Sequence, residues 1–338
     1  MKRLVLSKTI ICCLCVLSVC RSQESKIKST RPDSFKGTVK IAIGSVKDDQ
    51  EMIKKTLTQI SKRVDHLSVS INNFDKNIYE CKVKKTEDTT AVKNLLTKSV
   101  KIKFLEVFTI NEIAHGLQEM DTELRRKQTE PENMNAPKII EKGPRRQSLS
   151  ELVRFTNPYS FNNRTVFPAE IGYIQIKDTS YFNKLLGEEN IRKNFPANLK
   201  FAYGNYGGPP NFKDSVVKLY AIKITDPITE FYPTAKQISE TKVVSDRLTK
   251  TPTIVFQFNP AGSQAWHVMT KRNIGRPIAI LVDDLVISAP IVETPIDNGN
   301  TSLTTDYTSF ECLYLSKLMG SSELFLPVKI VESNFSVN

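Results

Sequence analysis

The sequence predicts an α+β fold, with a ferredoxin-like βαββαβ unit followed by further α+β elements. Between residues 37 and 110 the apolar pattern changes from alternation to spacings of three and four and back, in the order strand, helix, strand, strand, helix, strand. Further along, Asn259-Pro260 and the pair Thr308 and Glu311 mark two more helix starts, with strand-like runs between them. The chain has 338 residues, 40% of them apolar, enough for two units with cores of their own.

The first strand is expected over 38–43. Asp48 and Asp49 then open a helix whose Ile53, Leu57, Ile60, Val64 and Leu67 share one face. Residues 69–74 and 78–83 flank Asp75-Lys76-Asn77 as a hairpin. Asp88 caps a short helix bearing Val92, Leu95 and Leu96, and Val100, Ile102 and Phe104 alternate into the last base strand. Asn111 is expected to cap an amphipathic helix carrying Ile113, Leu117, Met120 and Leu124. Residues 111–165 comprise that helix and a flexible linker over 128–148, rich in charge and broken by Pro131, Pro137 and Pro144.

Residues 166–252 form a further stretch, with strands at 169–176, 199–203 and 216–224 and a helix at 180–186. The next unit spans 253–325. In it Ala265, Trp266 and Met269 fall on one face of a helix that Gly275 stops, and 278–282 and 285–288 form a hairpin across Asp283-Asp284. Asp-Asp is a poorer turn than Asp-Gly, so strain or a longer turn is expected there. A last helix covers 310–319, and a closing strand lies within 326–335.

The first 22 residues have the layout of a secretory signal peptide: Lys2, Arg3 and Lys8, then an uncharged apolar run over 9–20 that is short for a membrane span. Cleavage after Ser22 fits the small residues before Gln23. A lipoprotein signal, Leu17-Ser18-Val19-Cys20, with Cys20 as the lipidated first residue, fits as well, and an uncleaved anchor is the third reading. Removing residues 1–22 takes away four basic residues and no acid, lowering the net charge from +12 to +8. A basic exported chain suits anionic headgroups or an acidic partner, but lysines scattered among acids favour a solvated, soluble surface. Nucleic acid is not an expected partner, because export removes the chain from it.

Chemistry is sparse. Four of six cysteines lie in the leader, leaving Cys81 and Cys312, which excludes a disulfide scaffold; two separate buried thiols are favoured over a pair formed in an oxidising compartment. No Cys/His cluster suggests a metal, and no cofactor is expected. His66, His115 and His267 read as surface or partly packed side chains. No nucleophile elbow, zinc helix or phosphate loop occurs, and Gly204-Asn205-Tyr206-Gly207-Gly208-Pro209-Pro210 lacks the Lys-Ser/Thr of a phosphate cradle. An enzyme is therefore not expected.

Two stretches resemble the extracytoplasmic first domain of the SecD/SecDF protein-export family: Arg272-Asn273-Ile274-Gly275-Arg276-Pro277-Ile278-Ala279-Ile280 with Val286-Ile287-Ser288-Ala289-Pro290-Ile291, and Ile60-Ser61-Lys62-Arg63-Val64-Asp65-His66-Leu67-Ser68-Val69-Ser70. Residues 172–204 are similar to an insertion of Bacteroidetes-type SecDF, so the resemblance extends over about 37–335. Departures are Ser68 for a glycine, Asp284 for a glycine, and an opening motif reduced to Phe35-Lys36-Gly37-Thr38. The resemblance implies that the ferredoxin-like unit is a base subdomain to which the closing strand returns, so that the family-type insertion over 166–252 and an α+β head subdomain over 253–325 are inserted between base elements. It also implies a non-enzymatic protein on the periplasmic side that binds unfolded or translocating polypeptide beside Sec translocase subunits. Membrane proximity would come from a lipid anchor or a complete translocase. A repurposed structural or regulatory paralogue, or lipoprotein, is the alternative. The family's transmembrane helices have no counterpart in this sequence, so a stand-alone form without proton-driven translocation is expected. Candidate walls for polypeptide are Trp266, Met269, Ile287, Ile291 and Phe310.

Overall fold

The computed structural model describes residues 34–44, 49–129, 148–161, 163–206, 215–225, 232–245, 251–304, 307–321 and 323–337. The leader with Cys20 and most of the expected linker lie outside these residues. The fold is mixed α+β, and the chain divides into two compact units. One comprises Met1–Ile102, Pro233–His267 and Ile296–Asn338; the other comprises Lys103–Tyr232 and Val268–Pro295.

The first unit contains β1 (Phe35–Ile43), α1 (Gln50–Val64), β2 (Val69–Asp75), β3 (Ile78–Thr86) and α2 (Thr89–Thr97). Asp49 accepts from the Glu51 amide at 2.9 Å, and Asp88 from those of Thr90 and Ala91 at 2.8 and 2.9 Å, so both helices begin where side-chain caps satisfy orphan amides. The strand expected next, within 100–104, does not enter this sheet. The observed β4 (Ile102–Glu106) belongs to a seven-stranded sheet instead. Its place beside β1 is filled by β16 (Val328–Val337), giving the order β16-β1-β3-β2, with every strand antiparallel to its neighbours. Gly37 permits this closeness, since a Cβ there would lie 2.0 Å from the Asn334 carbonyl oxygen. Val39, Ile41, Ile43, Cys81 and Val83 face inward, while Lys40, Lys82 and Glu332 carry ion pairs on the other face, the division of a sheet with one wet side.

A second, three-stranded sheet in this unit has the order β11 (Ile238–Ser245), β12 (Pro252–Phe258), β15 (Asn300–Thr304). Between it and the α1/α2 layer runs α8 (Ser309–Met319), which packs against β11 and β12 on one side and α1 and α2 on the other. Thr308 and Glu311 form the expected capping box. Arg63 of α1 is fully buried and ties the helices together. Its guanidinium donates to the Lys98 carbonyl at 2.5 Å, to Leu95 at 3.4 Å, and through Nε at 2.9 Å and Nη2 to Ser321 just beyond α8. Thr56 and Gln59 bind the backbone of 323–326 on the same helix face. Ser68, despite replacing the family's glycine, is not among the described positive-φ residues.

The second unit is built on the sheet β4-β13-β14-β9-β10-β8-β5: β5 (Val153–Phe155), β8 (Glu170–Gln175), β9 (Leu199–Tyr206), β10 (Val216–Lys223), β13 (Ile278–Val282) and β14 (Leu285–Ser288), with β14 parallel to β9. A hairpin of β6 (Tyr159–Phe161) and β7 (Arg164–Val166) stands apart from that sheet. The helices are α3 (Ala114–Thr129), α4 (Leu149–Leu152), α5 (Thr179–Leu186) and α6 (Glu189–Arg192), and Phe182 and Phe195 meet Phe201 of β9 edge-on. The helix expected to be capped by Asn111 is instead led by a 3₁₀ turn, Ile110–Ile113, capped by Thr109 with Glu112 three residues on. Helix α7 (Pro260–Arg272), capped by Asn259, belongs to the first unit up to His267 and to the second from Val268.

Candidate functional site

The motif that closes α7 is a clasp. Arg272 donates through Nε to Glu106 at 2.7 Å, Asn273 donates to the same carboxylate at 3.0 Å and to the Met269 carbonyl at 2.8 Å, and Lys223 lies 3.4 Å away. Burial pushes the Glu106 carboxyl upward, but Asn273, Arg272 and Lys223 together hold it below the usual carboxylate range. Gly275 adopts φ +77, which turns the chain so that its amide reaches the Val292 carbonyl at 2.7 Å. Arg276 then bonds Glu112 at 2.7 Å; burial raises the Glu112 carboxyl, and the Thr109 amide and Arg276 more than reverse it. These polar groups are consumed by one another, so the motif holds strands β4 and β13 in place and presents no acid, base or ligand set.

The hairpin tip confirms the strain expected of Asp-Asp: Asp283 and Asp284 have φ of 50 and 69, the left-handed pair of a two-residue turn. Asp284 accepts from Lys103 at 2.8 Å, with Lys200 at 3.5 Å. Partial burial raises its carboxyl, and these two lysines bring it below the ordinary aspartate value.

The expected polypeptide walls fare unevenly. Trp266 is buried, its ring 5.7 Å from that of Phe258 in an aromatic group with Phe256. Met269 has no exposed surface and Ile287 is buried in β14. Ile291 is half-buried. Phe310 is 37% exposed at the start of α8. Trp266 and Phe310 belong to the first unit; Met269, Ile287 and Ile291 belong to the second. Apolarity at helix and strand spacing therefore reported the cores, and Phe310 is the candidate with substantial open surface.

What the sequence did not reveal is the setting of Phe310. Along α8 the residues that escape burial include Phe310, Leu313 and Lys317, spaced three and four apart on one face. Lys317 pairs with Asp65 at 2.5 Å. Beside the helix, β11 forms an edge of its sheet. The signal was present in 240–244, where exposed Glu240, Lys242 and Val244 alternate with half-buried Thr241 and Val243.

Burial lowers the proton affinity of His66; His115 is exposed, and His267 contacts Asp297. Cys81 and Cys312 are separate buried thiols, the former pushed up to about 12 chiefly by desolvation. Among the described residues no group of three or more His, Cys, Asp or Glu could hold a metal. Nor is any helix among them long and apolar enough to cross a membrane.

The fold and these surfaces define a mixed α+β protein whose polar motif residues serve architecture and whose open features, among the described residues, include a strand edge and the Phe310, Leu313 and Lys317 stripe. Residues 229–326 match the family model SecDF, P1 head subdomain. The chain is 35% identical over 100 residues to the protein translocase subunit SecD of Acidaminococcus fermentans, covering 30% of this chain and 24% of that one. It is 27% identical over 161 residues to SecD of Rhodothermus marinus, covering 48% and 25%. A solved structure described as "a membrane component SecDF that enhances protein export" aligns with a TM-score of 0.42 at 14% identity, over 87% of this chain and 98% of that one. The family match and the SecD relatives support a SecD/SecDF P1 domain, and the matched stretches span about a quarter of the length of those curated relatives.

Proposed function

We propose that this chain acts in protein export as a non-enzymatic SecD-like domain that binds unfolded or translocating polypeptide on the extracytoplasmic side, beside subunits of the Sec translocase. The observation that carries this reading is the match of residues 229–326 to the SecDF P1 head, in a chain whose relatives are named translocase subunit SecD. The finer architecture we read is a ferredoxin-like base, formed by β1 to β3 with α1 and α2 and completed by β16, with the head inserted between base elements. The order β16-β1-β3-β2 supports it, since β16 takes the place that a fourth strand would occupy in a βαββαβ unit. The leader directs export, and either cleavage after Ser22 or lipidation at Cys20 leaves the mature protein facing the periplasm.

Photocrosslinking in living cells tests the reading. The probe belongs at Phe310, which is exposed, and not at Ile287, which is buried. Trapping of many exported polypeptides or of translocase subunits is expected. Recovery of one dedicated partner, or of none, would refute it.

A further inference from the structure

We infer that the polypeptide is taken up as an added β-strand on the open edge of β11, with its side chains laid along the Phe310, Leu313 and Lys317 stripe of α8. This rests on the export reading above and assigns the place and mode of capture.

The placement follows from helix geometry. Cys312 of α8 points to β12, its Sγ lying 3.9 Å from the Pro252 carbonyl oxygen. Ser316, one turn on, faces β11: its carbonyl accepts from Thr241 Oγ1 at 2.9 Å. A Cβ on Gly320 would lie 2.6 Å from that same hydroxyl. Around the helix, at 3.6 residues per turn, the order is therefore Cys312 toward β12, Ser316 and Gly320 toward β11, and next Leu313, Lys317 and Phe310. The incompletely buried stripe lies on the flank beyond β11, alongside the edge that no other strand pairs with among the described residues.

The edge itself is suited to the task. After a register shift between Ile238 and Glu240, β11 pairs regularly with β12 through to Ser245. The edge strand β16, by contrast, carries a shift in mid-course, opposite Lys40 and Ile41, and Lys40 shields the exposed Phe74 ring on the other edge strand of that sheet, β2. Residues 240–244 offer about 17 Å of regular edge at about 3.3 Å per residue.

The occupant is fixed by hydrogen-bond complementarity. A strand edge presents amide donors and carbonyl acceptors at a two-residue period, which an extended main chain matches whatever its sequence. Alternate side chains of the added strand would meet Leu313 and Phe310 on the helix side, and Glu240, Lys242 and Val244 on the other. Charges of both signs on that outer row impose no preference for an acidic or basic segment. Lys242 on the edge also deters pairing between two copies of the chain. Both elements lie within the stretch that matches the P1 head.

The test uses the purified protein and two fluorescein-labelled peptides of alternating valine and threonine, identical except that the second is N-methylated at successive residues, so that neither of its edges can donate to a strand. Reduced, carboxymethylated α-lactalbumin serves as a general unfolded probe. The unmodified peptide is expected to bind at least tenfold more tightly than the methylated one by fluorescence anisotropy. Phe310→Ser should weaken it severalfold without changing the melting temperature. Proline at Lys242 or Val243, whichever variant keeps the native melting temperature, removes an outward amide and should abolish the tenfold preference. Equal binding of the two peptides, or unchanged binding by the Phe310 and proline variants, would overturn the edge assignment even if α-lactalbumin still bound. Self-association that Lys242→Pro disrupts, with no peptide preference, would assign the edge to a second copy and also overturn it. Failure to bind either peptide or α-lactalbumin would sink the polypeptide-binding reading as a whole.

Discussion

Arg63 gives the sharpest test of how the first unit is held together. Its guanidinium is wholly buried, and burial pulls it down to about 10, so it remains charged at neutral pH. Its acceptors are main-chain carbonyls at the ends of two helices: Leu95 and Lys98 at the close of α2, and Ser321 after α8. Arg63→Met keeps much of the volume and removes the donors. Orphaning the Lys98 and Ser321 carbonyls costs about 1–3 kcal/mol each, and the longer Leu95 contact adds less; relief of a desolvated cation returns part of it. A net loss of about 2–4 kcal/mol is expected, a large share of a stability of about 5–15 kcal/mol. The assay is urea unfolding followed by the single tryptophan, Trp266, which is 2% exposed and belongs to the same unit. The midpoint should fall by about 1–2 M for a slope of about 2 kcal/mol per M. Arg63→Lys should recover less than half of the loss, since one ammonium cannot fork between two helix ends. A change below about 1 kcal/mol in the Met variant would refute the reasoning.

Three further outcomes follow from the second unit and the first sheet. Glu106→Gln should destabilise the chain by about 1–3 kcal/mol at pH 7, because Arg272 and Lys223 lose their counter-charge. Since the folded-state pKa of Glu106 is depressed from 4.5, its contribution is present above that pH and is lost as pH falls toward the folded value; acid titration of stability should show this limb in the native chain and not in the Gln variant. Asp284→Gly exchanges about 1 kcal/mol of left-handed strain for the exposed Lys103 pair, so it should be near neutral in low salt and stabilising by about 1 kcal/mol in 0.5 M salt, a concentration of about the level that screens such pairs, as melting curves would reveal. Gly275→Ala, at φ +77 with open space around the missing Cβ, should cost about 1 kcal/mol, whereas Gly37→Ala drives a Cβ into β16 and should cost more than about 2 kcal/mol; equal losses in urea would contradict the distinction.

Local signals were legible and pairings were not. Asp49, Asp88, Asn259 and Thr308 cap helices where the sequence placed them, because a cap depends on residues two or three positions away. The fourth strand was placed correctly to within two residues but in the wrong sheet: alternation over Ile102 and Phe104 states that a strand has an apolar face and not which strand lies beside it. β11 was missed because an edge strand with one partly buried face needs few apolar residues, and Thr241 packs through a hydroxyl. Trp266, Met269 and Ile287 are apolar at helix or strand spacing, a pattern that a core and a groove wall share, and the structure buries all three.

The arrangement of α8 explains why an open edge can be a precise surface. A helix between two layers must be apolar on both flanks, so α8 buries residues nearly all round, and its unburied residues are confined to its ends and a narrow stripe. The stripe is fixed at three points. The Thr308 and Glu311 capping box sets the first turn, the Thr241 hydroxyl holds the Ser316 carbonyl, and Arg63 grips Ser321 beyond the last turn. The capping box and Arg63 satisfy backbone groups that would otherwise be orphaned at the helix ends, while the Thr241 hydroxyl adds a second donor to a Ser316 carbonyl that already accepts from the Gly320 amide. A strand edge beside such a helix loses little freedom when an extended chain docks, and the ordering penalty falls on the incoming polypeptide. That places the buried Arg63 in the support of the surface proposed to bind.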